Sequence, residues 1–561
     1  MTRPARTAFK TALALTAAFA LPLAACAAPR PAPRSTPAAL QPRPDAPPLV
    51  VAVSIDQLSA DLFAEYRENY TGGFARLLDG VVFPSGYQGH AASETCPGHS
   101  TLLTGVHPAR NGIIANGWMA KTPEGKLVNV YCAEDTARKQ ASGKGYTASA
   151  VHLLVPTLGE RLKAIWPSSR NVAVSGKDRG ALMMAGQNAD AVYWRDGNGF
   201  ATLAGRTMES TAQAASDAAA ALVAKGADAY AAPAWCASRD RAITAGSLTV
   251  GTNRFAMAPG DGNGFVRSPR VDEATVALAQ ALVESHKLGA DKVPDVLSVS
   301  LSGADYVGHT FGTNGVETCI TMAALDRMLG DFFAFLDARG TDYLVVLSAD
   351  HGGLDLPERA VQQGQPGAHR VSEEWVPAKL GATLASELGI AGPVFAEGSA
   401  SGDVWFASTL SADDRTRVLA ALRSRAGDKG DLAAVFSAEE LAAAPIPSGD
   451  PRAWSVIERV RASYMAGRSG DLIVVLHPQV TPIPRPGPGY VATHGSPWDY
   501  DRRVPIAFWR KGMTPYEQVQ PVGTVDIAPT LAAAIGLPLK PGEMDGRCLD
   551  LDGGEANTCT R

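Results

Sequence analysis

Residues 49–56 read LVVAVSID, seven small or apolar residues from Leu49 to Ile55 closed by Asp56. A run this short, dense in valine and ended by a polar residue, has the length and composition of a strand buried on both faces. The same pattern returns at Asn171–Ser175, Val296–Leu301, Tyr343–Leu347, Leu472–Leu476 and Pro505–Trp509. Helical periodicity is strongest in Glu273–His286, Thr318–Leu336 and Val525–Ile535, and the last two stop near Gly340 and at Gly536, the residue type that ends helices. Strand and helix in alternation predict an α/β fold with a central, mostly parallel sheet and helices on both faces. Two segments break the alternation, about 189–269, rich in Ala and Gly, and about 354–488, which begins and ends in Pro/Gly-rich loops. Both are read as insertions forming a cap around the site.

The 561 residues carry 51 Lys+Arg against 56 Asp+Glu, a net charge of −5 that argues against nucleic acid as the main partner and makes any anion site local. Only one stretch approaches membrane hydrophobicity, TALALTAAFALPLAA, which follows Arg3, Arg6 and Lys10 and precedes Cys26. A basic start before a short apolar run reads as a secretory signal over residues 1–26. Its end, Leu23-Ala24-Ala25-Cys26, resembles a lipobox, which would place a lipid anchor on Cys26; cleavage after Ala25-Cys26-Ala27 would instead release a soluble protein. Either way the protein is expected to be exported, periplasmic, tethered to the outer membrane or secreted. Residues 27–48 are Pro-rich and read as an extended tether, leaving 49–561 as the folded domain. The remaining cysteines, Cys96, Cys132, Cys236, Cys319, Cys548 and Cys559, form an even set suited to an oxidising compartment, with Cys548 and Cys559 the expected pair. No C-x-x-C occurs, so a zinc ribbon or thioredoxin-type site is not indicated.

In open α/β sheets ligands gather beyond the carboxyl ends of strands. Asp56 follows LVVAVSI, Asp305 and His309 follow VLSVSLSGA, Asp350-His351 follows YLVVLSA, and His494 lies in the loop ATHGSPWDYD. One Asp after a strand is ordinarily a turn former, and one His is ordinarily structural. Three of each in these positions divide into two sites of three protein ligands, with room left for substrate. Mixed carboxylate and imidazole donors suit zinc better than the all-oxygen preference of calcium or magnesium.

A second element is Ser93-Glu94-Thr95-Cys96-Pro97-Gly98-His99, where Pro97 just inside a helix start sets Thr95 and Cys96 at a terminus that favours an anion. Thr95 could be no more than a helix cap. Beside zinc, however, its hydroxyl becomes a nucleophile. Asn111-Gly112-Ile113-Ile114-Ala115-Asn116 offers an amide donor, and Lys177-Asp178-Arg179-Gly180 offers two cations from one loop.

These motifs, in this order, resemble the alkaline phosphatase superfamily, and most closely the exported bacterial zinc phosphomonoesterases of the PhoK and PafA type that use a Thr nucleophile. The resemblance spans about Pro48 to Leu539. It implies that 49–561 is an alkaline phosphatase-like catalytic domain carrying two Zn²⁺. Asp305, His309 and His494 would hold the ion at the leaving-group oxygen, and Asp56, Asp350 and His351 the ion at Thr95. Asn116 and the Cys96 N–H would bind one phosphoryl oxygen, and Lys177 and Arg179 another. The implied function is hydrolysis of small phosphate monoesters through a phospho-threonine intermediate. A nucleotide pyrophosphatase/phosphodiesterase of the same superfamily is the alternative, although the Lys177/Arg179 pair is not expected there. A sulfatase would need C-x-P-x-R, which is absent. A phosphate-capturing lipoprotein would have no use for a nucleophile beside open metal sites.

Overall fold

The computed structural model describes residues 41–560 apart from 123–124, 139–144, 399–401 and 428–429. Strands Leu49–Ile55, Asp295–Leu301, Asn171–Ser175 and Ala191–Asp196 run parallel in that spatial order, and Tyr343–Ser348 lies parallel on the other side of Leu49–Ile55. Beyond Tyr343–Ser348 come the antiparallel Arg503–Arg510 and then Val81–Tyr87. With Gly199–Ala201 on one edge and the short strands Tyr516–Glu517 and Val522–Gly523 on the other, these form a ten-stranded sheet among the described residues. The expected mostly parallel centre is therefore present, and Arg503–Arg510 and Gly199–Ala201 are the strands that run against it.

Side-chain alternation divides the strands between two cores. Val51, Val53, Ile55, Val299 and Leu347 pack in one apolar cluster with helices Arg270–Ser285 and Val316–Ala338. Val50, Ala52, Val296 and Val346 pack in the other with helices Leu158–Ile165, Thr95–Thr104 and Ile527–Ile535. Strands covered on both faces need no polar alternation, which is why they read as unbroken apolar runs.

Three expectations change. Residues 189–269 are not a separate cap: the segment supplies the strands Ala191–Asp196 and Gly199–Ala201, and Ala212, Ala219, Val223 and Phe265 join the main core. Its many alanines are small contacts of a helix, Ser210–Lys225, packed on Arg270–Ser285. The strand Leu472–Leu476 is present but belongs to a small sheet with Asp403–Val404 and Leu432–Ser437, not to the central one. Residues 42–48 do not continue a free tether, since Arg43 Nη1 donates to Ala533 O at 3.2 Å and Pro48 O accepts from Asp295 N at 2.9 Å. The 354–488 segment has its own apolar cluster of Leu384, Val418, Leu422 and Leu432. The signal, Cys26 and the tether up to residue 40 lie outside the described residues.

Candidate active site

Asp305 and His309 lie four residues apart on helix Gly303–Phe311, so one turn places both on the same face. His309 Nε2 stands 3.2 Å from Asp305 Oδ1, and His494 Nε2 stands 3.3 Å from the same oxygen. The first expected group is thus assembled, with His494 carried in by the loop that returns from the cap. In the second, His351 Nε2 lies 3.3 Å from Asp56 Oδ1 and 3.3 Å from Asp350 Oδ2. Asp305 reaches this group too: the ligand atoms of Asp56, Asp305 and His351 fall within 4.8 Å of one another. Asp350 is held by its other oxygen, which accepts from Gln57 N at 3.1 Å and His351 N at 2.9 Å.

The imidazoles are aimed by their second nitrogens. His309 Nδ1 bonds Ala492 O at 2.8 Å, His494 Nδ1 bonds Ser93 O at 2.8 Å, and His351 Nδ1 bonds Gly352 O at 2.8 Å. A carbonyl can only accept, so each Nδ1 carries the proton and each Nε2 is left with its lone pair toward the carboxylates. Asp56 Oδ1, Asp305 Oδ1, Asp350 Oδ2 and His351 Nε2 are buried without a hydrogen bond. Buried polar atoms are ordinarily satisfied, and four converging acceptors fit cations. Both groups could hold a metal ion.

The local charge balance agrees. Burial, with Asp350 beside it, pushes the Asp56 carboxyl well above its ordinary range. Burial works the same way on Asp305 but is outweighed by His309 and Lys177, which hold it well below. Burial depresses His351 to about 3 and keeps it neutral. Lys177 Nζ lies 2.5 Å from Asp56 Oδ2 and bonds Asp305 Oδ2 as well, one ammonium between two carboxylates. Burial opposes its charge, but Asp305 and Asp56 prevail and lift its pKa above the usual lysine value.

Thr95 opens helix Thr95–Thr104, every residue of which is buried. The capping position is Glu94, not Thr95, and the buried Thr95 hydroxyl makes no hydrogen bond. The helix is pressed onto the Asp350 backbone: a Cβ on Gly98 would stand 2.0 Å from Asp350 O, which explains the glycine. His99 couples the two, its Nδ1 lying 2.9 Å from Thr95 O and 3.1 Å from Asp350 Oδ2. Cys96 corrects an expectation. Its N–H is not open to a phosphoryl oxygen, because it donates to Asn116 Oδ1 at 2.8 Å, while Asn116 N donates to Glu94 Oε2 at 2.7 Å. A helix-start donor takes the acceptor in reach, and the bond fixes the Asn116 amide with its NH₂ turned away from Cys96. Cys96 is also tied to Cys132, one of three disulfides with Cys236–Cys319 and the expected Cys548–Cys559.

Arg179 follows Lys177 at the start of helix Asp178–Ala185 and reaches Tyr131 OH at 3.4 Å. Asp178, between the two cations, is occupied by the hydroxyls of Tyr131 at 2.7 Å and Tyr146 at 2.6 Å. Glu94, His99, Tyr131 and Tyr146 were not anticipated as parts of the site. Glu94 and His99 stand inside the Thr95 motif and could have been suspected; the tyrosines come from a hairpin and loop with no readable signal.

Residues 50–497 match the family of type I phosphodiesterases and nucleotide pyrophosphatases. The chain belongs to that family. Within it the chain is 48% identical over 518 residues to alkaline phosphatase PhoK of Sphingomonas sp, covering 91% of this chain and 92% of that one. It is 44% identical over 521 residues to alkaline phosphatase PhoD of Zymomonas mobilis, covering 91% and 89%. The crystal structure of wild-type alkaline phosphatase PafA shares the family fold with a TM-score of 0.78 at 26% identity, over 90% of this chain and 98% of that one.

Proposed function

We propose that this alkaline phosphatase hydrolyses phosphate monoesters with two zinc ions and with Thr95 as nucleophile. The observation that carries the reading is the Thr95 hydroxyl, buried and unbonded at a helix start, one histidine away from Asp350. Asp305, His309 and His494 would hold one ion, and Asp56, Asp350 and His351 the other. Bound there, the ions would supply the positive charge that ionises the Thr95 hydroxyl and neutralises the departing oxygen. Thr95 Oγ1 attacks phosphorus, the bond to the leaving-group oxygen breaks, and water cleaves the phospho-threonine to restore the hydroxyl.

The Asn116 NH₂ binds one phosphoryl oxygen. The first N–H of the helix, that of Thr95, has no acceptor within the helix and takes the role first expected of Cys96. Lys177 and Arg179 meet the oxygen that a diester would carry as an organic group, and this separates the monoesterase from the phosphodiesterase reading that the family also allows. Export accords with three disulfides joining all six cysteines beyond Cys26. No helix among the described residues is long and apolar enough to cross a membrane.

The test is the ratio of kcat/KM for an aryl monoester to that for a bis-aryl diester in zinc-loaded protein. A monoester preference of orders of magnitude is expected, and a diester preference would overturn the reading.

A further inference from the structure

Arg195 and Arg267 are cations for which the reaction above has no use. Arg195 lies near the end of strand Ala191–Asp196, next to the edge of the sheet, and Arg267 follows helix Gly262–Val266. Both line a cleft of about 680 Å³ whose wall includes Tyr306, His309 and Thr310 of one helix. No carboxylate lines that cleft among the described residues. Arg195 Nη1 donates to Gly197 O at 2.8 Å, while its Nε is buried without a partner.

Arg267 lies over the backbone of Gly489, where a Cβ would stand 2.5 Å from Nη2. The adjoining Tyr490 sets its ring 5.1 Å from the His309 ring, so Arg267 comes within one residue of the group assigned to the leaving-group oxygen. Arg195 and Tyr306 also line the neighbouring cleft that holds Lys177 and Arg179. Cationic side chains therefore recur from the phosphoryl side past His309 to the side where the leaving group departs, with the carboxylates of Asp178 and Asp196 set among them on the phosphoryl side.

We propose that this cleft is a second anion site, and that the enzyme favours monoesters whose leaving group carries a second phosphate. The inference rests on the monoesterase reading and adds its substrate class. A guanidinium fork matches phosphate oxygens in pairs, and a partly buried guanidinium with no carboxylate partner gains most from such a ligand. An aryl or alkyl leaving group leaves both arginines to water. The contact is remote from the reacting bond and is made equally in ground and transition states, so it acts on KM more than on kcat.

The experiment compares zinc-loaded wild type with R195A, R267A and R267K on an aryl monophosphate, a hexose 6-phosphate and a hexose 1,6-bisphosphate. Wild type is expected to have a KM about tenfold lower for the bisphosphate than for the hexose monophosphate, the size of one charge-assisted hydrogen bond. Each alanine variant should raise the bisphosphate KM about tenfold and leave aryl turnover within about twofold, with R267K retaining part of the preference. Equal losses on all three substrates, or no bisphosphate preference in wild type, would overturn the second site and leave the monoesterase standing. Absence of aryl monophosphate turnover in wild type would overturn both.

Discussion

The central sheet and the 354–488 segment, the expected cap, are built to different rules. In the sheet, Leu49–Ile55, Asp295–Leu301 and Tyr343–Ser348 are buried at every residue, and each delivers an acid at or just beyond its carboxyl end. In the cap, Leu432–Ser437 and Leu472–Leu476 are only partly buried, and the segment has a separate apolar cluster. The cap contributes no member of either Asp/His group. It meets the site from outside, across a cavity of about 370 Å³ lined by Trp375 and Phe395 on one side and His494 on the other. The three acids stand at the ends of strands locked by neighbours on both faces, which is what fixed distances between them require.

If the sheet edge carries the chemistry, removing its metal should have the largest effect. Chelator-treated protein is expected to fall to background activity and to recover with zinc better than with magnesium, because both groups contain imidazole. Full turnover in excess chelator would break the comparison outright. Next in size, Thr95→Ala should lower kcat by at least ~10³-fold. Elemental analysis should still find the metal, since no Asp or His of the two groups is changed.

Lys177→Ala with Arg179→Ala should cost the monoester about 10²-fold or more in kcat/KM and the diester only a few-fold, the difference expected when cations lose a charged partner. Equal losses on both substrates would make the pair a support of the fold. The smallest effect on catalysis should come from the cap interior. Leu384→Ala, at a fully buried position, should destabilise the cap by about 2–5 kcal/mol in denaturant unfolding. The aryl monoester kcat should stay within about threefold, and a collapse of kcat in folded protein would show that the cap is part of the catalytic frame.

The fold class was legible in the sequence, and so were the residue types gathered at the strand ends. All six metal-ligand candidates converge, because each is fixed by a local pattern: an acid after an apolar strand, an Asp and a His one helical turn apart, a His before glycine. The errors fall where the signal was compositional. The Ala-rich 189–269 segment read as an insertion, yet small residues were what allowed helix Ser210–Lys225 to lie close on Arg270–Ser285. Leu472–Leu476 read as a central strand because a five-residue apolar run does not say which sheet will pair with it.

By itself the sequence determined the alternating elements, the residue types at the strand ends and the six cysteines, since these depend on side-chain chemistry and on contacts within a few residues. Only the tertiary structure decided that Asp305 serves both Asp/His groups, that the Cys96 N–H goes to Asn116, and that Lys177 bridges Asp56 and Asp305. Each of these is a choice among several acceptors or partners that only the packed chain brings within 3 Å or so of one another, and a hydrogen bond or ion pair is won by distance and burial, which no local stretch of sequence encodes.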